Sequence, residues 1–181
     1  RVSLSWLEPH AADMESAFRR NVLPYGGFHT RAAIRAHAVM HTCNSRGVVC
    51  AAPTGGSAGV LPSVLLTLEE DLGRDRRQIL SSLFAAGIVG VLVANRATLA
   101  AESAGCQVEI GAAGAMAAAA AVEAAGGPAE TAFHAAAVAL QNTMGSICDP
   151  VGGGCEIPCH TRNGVAASAA FVCADMVFGG Y

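Results

Sequence analysis

Apolar residues recur at helical spacing along most of this chain, and no segment shows the strict alternation of a half-buried strand. Thr30 is positioned to cap a helix that runs to about Arg46. One face of that helix carries Ala33, Ala36 and Met40. The pattern therefore predicts an amphipathic helix in the first third of the chain.

Proline, aspartate and glycine residues predict where the later helices begin and end. Pro62 suits the first turn of a short helix that ends near Asp71. Asp75 is positioned to cap a long apolar helix that ends near Asn95. Three more helices are expected at 109–125, 128–145 and 163–178.

The longest uncharged apolar run extends from Ile79 to Ala94. This run is about one turn or more shorter than a bilayer requires, and it is rich in alanine and glycine. We therefore expect a buried core helix here and no membrane span.

These patterns predict an all-α protein, a compact Ala/Gly-rich helical bundle formed by a single domain over residues 1–181. No internal repeat or linker divides the chain. Three irregular segments interrupt the helices, at 47–61, 98–108 and 146–162, and each carries cysteines or polar clusters. Such interruptions are where sites are usually built, so these segments are expected to be the catalytic loops.

Composition and charge exclude several classes of function. The 181 residues have a net charge of −3 and no large basic cluster, which argues against a nucleic-acid partner and favours a small ligand. The chain contains no lysine. It therefore has neither the Schiff-base lysine of a pyridoxal-phosphate enzyme nor the phosphate-binding lysine of a P-loop. No pyridoxal phosphate is expected.

The seven cysteines indicate reduced thiols, because an odd number in a helical chain does not suit a secreted disulfide framework. We therefore expect a cytoplasmic location. Cys148, Cys155 and Cys159 lie on one Gly/Pro-rich loop, and Cys106 lies on a separate Gly-Cys turn. Soft thiolates favour zinc, Cu(I) or iron–sulfur clusters. Three thiolates on a four-iron cluster would leave one iron open, and either Cys155 or Cys159 suits the third position.

A glycine-rich turn spans residues 51–62 just before a predicted helix. Its glycines let backbone N–H groups converge on an anion, and its Thr54 and Ser57 hydroxyls would add donors for a carboxylate. A tight turn with a serine cap explains the same residues equally well.

Three ordered motifs resemble the α domain of the iron–sulfur-dependent L-serine dehydratases. Residues 51–62 match AAPTxGxAGxxP, residues 105–111 match GCQxEVG, and residues 148–163 match CDPVxGxxxxPCxxRN. Asn44 begins a stretch similar to the N-A-S-x-G of that family. Cys43 and Cys155 depart from the family, which usually has a small and an apolar residue at these positions.

The resemblance implies a ligand set and a reaction. Cys106, Cys148 and Cys159 match the cysteines that bind a [4Fe–4S] cluster with one open iron. The implied reaction is the β-elimination of water from L-serine, giving pyruvate and ammonia. The substrate-binding candidates are Asn44, Thr54, Gly55, Gly56, Ser57, Gly59, Arg162 and Asn163.

Histidines His29 and His160 are the candidate general bases, because a neutral imidazole accepts a proton near pH 7. His29 follows a glycine pair and His160 adjoins a proposed ligand; a base outside this chain is the alternative. His37, His41 and His134 are expected to be structural.

Full-length members of that family also carry a β domain or β subunit. The chain is therefore expected to be one part of a larger homo-oligomeric enzyme that acts on a small amino acid. Two alternatives stay open. One is a related lyase acting on cysteine or threonine, and the other is a non-catalytic cluster-binding subunit.

Overall fold

The computed structural model describes residues 3–181, and no β-strand occurs among them, so the predicted all-α class is confirmed. The helices of the described part are α1 (Ala11–Arg19), α2 (Phe28–Asn44), α3 (Val60–Glu70), α4 (Arg76–Arg96), α5 (Ala101–Ala104), α6 (Ile110–Ala124), α7 (Ala129–Gln141) and α8 (Cys159–Phe178).

The predicted start of α4 is confirmed. Asp75 Oδ1 accepts a hydrogen bond from Gln78 N at 2.9 Å, and Gln78 Oε1 accepts one from Asp75 N at 2.9 Å. This reciprocal pair satisfies two N–H groups that a helix end otherwise leaves without a partner.

The predicted cap of α2 is wrong. The helix begins at Phe28, with the extended Gly27 as its N-cap, and the Thr30 hydroxyl donates to the Tyr25 carbonyl at 3.3 Å. Two other boundaries also differ: α7 ends at Gln141, and α8 already begins at Cys159. Helix ends depend on tertiary contacts, so sequence signals place them only approximately.

Helix α6 forms the centre of the bundle. Of its 15 residues, 14 are buried, and Glu123 is the exception. Helices α3, α4, α7 and α8 pack around it. A helix that is apolar on all sides is expected to be buried on all sides, and its alanines let neighbouring helices approach closely.

Helix α4 contradicts the prediction of a buried core helix. Only Ser82, Ala86 and Val89 are buried, whereas Phe84 is 75% exposed and Val91 is 60% exposed. The reason is that α4 packs mainly against α6, so its opposite face has no neighbour among the described residues.

By length and composition alone, α4 could cross a membrane. Its most apolar 18-residue window has a mean hydropathy of 1.8, and 17% of that window is buried. A single helix of this kind is weak evidence for a membrane span, because apolar helices that pack against protein meet the same criterion.

The irregular segments meet beside the first turn of α8. Asn44 at the end of α2 donates to the Cys155 carbonyl, Asn163 on α8 contacts the turn before α3, and Arg162 contacts the turn before α6. The fold therefore brings together the three predicted catalytic loops.

Candidate metal centre

Cys106 lies in a short 3-10 turn, Cys106–Val108, directly before α6 and is 2% exposed. Gln107 connects this turn by hydrogen bonds to the loop that leads to Cys148. Its backbone N–H donates to the Ser146 carbonyl at 3.4 Å, and its Oε1 accepts from Gly145 N at 3.0 Å. Two segments far apart in sequence are thus held side by side.

Cys148 and Cys159 lie at the two ends of the cysteine loop, residues 148–159. Cys148 is exposed, and Cys159 is buried as the first residue of α8. Between them the chain closes on itself, because Val151 N donates to the Ile157 carbonyl at 2.9 Å. This bond closes the loop between residues 151 and 157.

The guanidinium of Arg162 joins both cysteine segments. Its Nη1 lies 3.2 Å from Cys106 Sγ, 3.1 Å from the Ile147 carbonyl and 2.7 Å from Asp149 Oδ1. A guanidinium N–H is a strong, charged hydrogen-bond donor, and here it donates to a sulfur. The contact is of the kind that orients a metal ligand.

The thiols in this region interact electrostatically with one another. Partial desolvation raises the pKa of the otherwise exposed Cys148, and nearby Cys106, Glu109, Cys155 and Asp149 raise it further. Adding negative charge to the group is unfavourable without a bound cation. The arrangement is thus one that a metal would stabilise.

Cys155 and Cys159 affect each other's titration. Their side-chain interaction lowers the pKa of Cys155 to about 6 and raises that of Cys159, because the first thiolate is stabilised by the remaining S–H group. The two sulfurs therefore lose their protons as a coupled pair.

The donor set fits an iron–sulfur cluster. Cys106, Cys148 and Cys159 supply three sulfurs from two segments, and Arg162 supplies an N–H donor to one of them. Within residues 3–181, no three His, Cys, Asp or Glu side chains converge closely enough to hold a single metal ion. A cluster spreads its ligands over several ions, so its thiolates need not meet at one point.

Asn163 connects the glycine-rich turn to α8. Its Oδ1 accepts from Gly59 N at 3.0 Å, and its Nδ2 donates to the carbonyls of Gly56 and Cys159, both at 2.8 Å. Asn163 is fully buried. Its amide therefore holds the turn against a proposed cluster ligand, and the Gly59 N–H is already occupied by it.

The hydroxyls of Thr54 and Ser57 lie within the same turn, 3.0 Å apart. Ser57 is fully buried, and its Oγ also accepts from Thr54 N at 3.4 Å. Gly55 and Gly56 begin the helical turn Gly55–Ser57, where the first N–H groups lack partners within the turn. These two amides are the ones available to an anion.

The carboxylate of Glu109 lies beside this turn. A Cβ atom at Gly56 would be 2.9 Å from Glu109 Oε2. Glu109 also acts electrostatically on Cys148, Cys155 and Cys159. Glu109 belongs to the motif at 105–111 that also carries Cys106, but the motif alone indicates no role for its carboxylate.

His160 is the candidate base that lies next to the thiols. It is 1% exposed, and its Nε2 lies 2.9 Å from Asn44 Nδ2. Burial and the neighbouring His41 and His37 lower its pKa to about 4, against a weaker opposing effect of Glu156. The imidazole is therefore neutral at physiological pH.

His29 lies apart from the cysteines, in the packing between α2 and α8. Its ring stacks on Phe28 with centroids 3.9 Å apart and meets Phe171 edge-on at 5.7 Å. It lines a shallow groove with His37 and Ser168. Of the two base candidates, only His160 adjoins the metal centre.

A cavity of about 520 Å³ opens beside the thiols, between α6, α7 and α8. Cys106 and Arg162 line one end of it, and Cys173 and Met176 line the other. The Cys106 end provides room for a small ligand next to the Cys106 sulfur.

Comparison with known proteins identifies relatives over most of the chain. The sequence model of the family described as "Serine dehydratase alpha chain" matches residues 5–181. A probable L-serine dehydratase alpha chain of Bacillus subtilis is 48% identical over 74% of this chain and 45% of its own length. The corresponding protein of Latilactobacillus sakei is 46% identical over 75% of this chain and 65% of its own length.

The L-serine dehydratase alpha chain of Peptoniphilus asaccharolyticus is 38% identical over 86% of this chain and 53% of its own length. This chain thus spans about half the length of the curated relatives that it matches. Because the family model covers nearly all of the described residues, this chain belongs to the serine dehydratase alpha chain family.

Proposed function

We propose that this chain is the cluster-binding part of an L-serine dehydratase, which eliminates water from L-serine without pyridoxal phosphate to give pyruvate and ammonia. The observation that carries the proposal is that Arg162, on the helix that Cys159 begins, contacts both Cys106 Sγ and Asp149, the residue after Cys148. Membership of the family and the absence of lysine support it. The chain would work with a β domain or β subunit as a homo-oligomer, in the reducing cytoplasm.

The three cysteines would hold a [4Fe–4S] cluster through their thiolates. When bound, such a cluster supplies a Lewis acid that makes the β-hydroxyl of serine a better leaving group. Arg162 donates to Cys106 Sγ and fixes the loop through Asp149. These side chains therefore set the ligand geometry before substrate binds.

The substrate carboxylate would bind the N–H groups of Gly55 and Gly56. These amides lie at the start of a helical turn, where N–H groups and the local dipole favour an anion. Asn163 holds this turn beside Cys159 through three hydrogen bonds. The carboxylate and the reacting β-carbon would thereby keep a fixed separation.

His160 would accept the α-proton, because it is neutral and adjoins Cys159. The electron pair of the Cα–H bond then forms the Cα=Cβ bond while the Cβ–O bond breaks, and the departing hydroxide takes the proton from His160 to become water. The aminoacrylate tautomerises to an imine, which water hydrolyses to pyruvate and ammonia. For His160 to accept the proton at Nε2, Asn44 must release the bond it makes there.

Anaerobic reconstitution with iron and sulfide, followed by titration with L-serine, tests this function. About four irons per chain, a serine-dependent change in the visible spectrum and pyruvate formation are expected, with the β partner supplied. Sulfide release from cysteine in place of pyruvate formation from serine would indicate a related lyase. A cluster whose spectrum does not change with any amino acid, and that forms no product, would overturn the catalytic assignment.

Single cysteine variants test the ligand set. Replacing Cys106, Cys148 or Cys159 with alanine should abolish the cluster, whereas Cys50→Ala, at an exposed cysteine on another loop, should retain it. Cys155→Ala is the decisive comparison, because Cys155 and Cys159 each shift the pKa of the other thiol. Loss of iron from Cys155→Ala but not from Cys159→Ala would reverse the assignment of the third ligand.

A further inference from the structure

The carboxylate of Glu156 binds the N-terminal segment of the chain. It accepts backbone hydrogen bonds from Ser5 N at 2.7 Å and, through Oε2, from Trp6 N at 2.8 Å and Leu7 N at 3.0 Å. Glu156 is 4% exposed. Burying a carboxylate costs free energy unless hydrogen-bond donors replace the water that it loses. These three N–H donors therefore stabilise Glu156 in its buried position.

Glu156 stands where the cysteine loop becomes helix α8. Its backbone carbonyl accepts from His160 N at 3.0 Å, in the first turn of α8. The carbonyl of the preceding residue, Cys155, accepts from Asn44 Nδ2 at 3.0 Å. The end of the loop that leads to Cys159 is therefore held on one side by Asn44 and on the other by Glu156.

The indole of Trp6 covers the other part of the loop. A Cβ atom at Gly152 would lie 2.5 Å from the Trp6 ring, and the φ of Gly152 is +63°. Close approach and backbone conformation therefore both favour glycine at this position. Residues 5–7, termed the strap below, thus lie across the loop and contact it at Gly152 and at Glu156.

No arginine pairs with Glu156 among the described residues, although four arginines of the structure pair with other carboxylates. Backbone N–H groups have fixed positions, whereas an arginine side chain is mobile. A carboxylate bound by three successive N–H groups therefore fixes the strap in one register. An ion pair on the surface would not hold the strap in a single register.

We propose that Glu156 is a positioning residue: through its carboxylate, the strap holds the cysteine loop in the arrangement that binds the metal cluster. The role of the cysteines rests on the proposed function. The restraint of the loop by the strap does not depend on the proposed function, because it acts in the metal-free protein as well.

The test uses metal-free protein and two independent ways of releasing the strap. Glu156→Ala removes the acceptor, and Ser5→Pro removes one donor, because proline has no N–H. Ser5→Ala keeps that donor and is the matched control. Glu130→Ala, at an exposed glutamate in the first turn of α7, controls for loss of a carboxylate.

The readout is the alkylation rate of Cys159 relative to that of Cys173. Both thiols are buried on α8, at 6% and 4% exposure, but only Cys159 adjoins the loop. Each releasing variant should raise the ratio of the two rates about tenfold or more, which is the scale of losing one hydrogen bond to a charge. The two controls should leave the ratio unchanged. Equal acceleration of both thiols would mean general destabilisation and would overturn the proposal.

A double variant shows whether the two residues act together. In the Glu156→Ala background, Ser5→Pro should produce little further change, because its partner is already missing. Independent effects that multiply would contradict a strap that acts through Glu156. Hydrogen exchange at Val151 N and His160 N, which bond within the loop and its exit, should follow the same pattern.

Iron retention then links the strap to the cluster. After reconstitution, Glu156→Ala and Ser5→Pro should lose iron to a chelator faster than the wild type, and Ser5→Ala should not. If neither the wild type nor any variant binds a cluster but the alkylation ratios change as expected, the proposed function is wrong and the role of the strap is supported. If the cluster forms and the ratios do not change, the strap fails alone.

Discussion

Arg162 Nη1 lies 3.2 Å from Cys106 Sγ, although 56 positions separate the two residues in the sequence. The same nitrogen contacts the Ile147 carbonyl and Asp149. One cation therefore connects the turn before α6 with the beginning of the cysteine loop. This contact makes two segments into a single site.

Replacing Arg162 with glutamine should weaken iron binding without unfolding the protein. The side chain loses its charge, so Cys106 Sγ and Asp149 lose their cationic partner. Removing an outer partner of a metal ligand typically costs about 10- to 100-fold in affinity. Competition with an iron chelator measures this loss, and Arg96→Gln, at the exposed end of α4, is the control. Unchanged iron retention would contradict the role given to Arg162.

Replacing Gly105 with alanine should destabilise the fold. The φ of Gly105 is +77°, and an added Cβ would collide with the Ser146 carbonyl, where the two cysteine segments meet. Such strain costs about 1–3 kcal/mol. Gly87→Ala is the matched control, because Gly87 lies inside α4 with open space around it. In thermal unfolding, alanine at 105 should lower the Tm and alanine at 87 should preserve or raise it.

Replacing Asn163 with aspartate should be more harmful than replacing it with alanine. The amide donates to two carbonyls, of Gly56 and Cys159, and a carboxylate would repel both. Leaving buried groups unsatisfied costs about 1–3 kcal/mol each. Urea unfolding measures the difference, with Asn142→Ala, at an exposed asparagine, as control. An alanine variant less stable than the aspartate variant would contradict this account.

Acid should destabilise the protein through His37 and His41. Burial lowers the pKa of both; for His41, His37 and His10 lower it further, and Glu156 opposes them. The unfolded chain therefore takes up protons that the folded chain does not. Their contribution to stability is complete above about pH 6.5 and is lost as the pH falls toward the folded-state pKa values.

Measuring the free energy of unfolding between pH 8 and pH 5 tests whether stability decreases as the pH falls. In His41→Gln, the decrease on acidification should be smaller than in the wild type, because one titrating group is gone. A free energy of unfolding that rises as the pH falls through this range would show that the sign is wrong. His37→Gln should reproduce the effect of His41→Gln.

Local chemistry was sufficient to predict some parts of the fold. The cap formed by Asp75 and Gln78, the placement of Pro62 in the first turn of α3 and the position of Cys106 just before α6 depend on residues close in sequence. These features are set by neighbouring hydrogen bonds and backbone preferences. A single sequence therefore contains the information needed to predict them.

The burial of the helices could not be predicted in the same way. The sequence favoured a core position for 79–94, yet α4 is largely exposed, and the most buried helix is the alanine-rich α6. Both helices are apolar on most sides, so periodicity does not say how many neighbours each will have. That number depends on how the other helices pack.

The sequence by itself determined the helical class, the irregular segments and the residue types that can bind a metal. Only the tertiary structure decided that Asn163 holds the glycine-rich turn, that Arg162 joins Cys106 to Asp149, and that Glu156 binds the N-terminal strap. Helices and turns follow from short-range preferences. These contacts join residues 13 to 151 positions apart, so they exist only once the helices have packed.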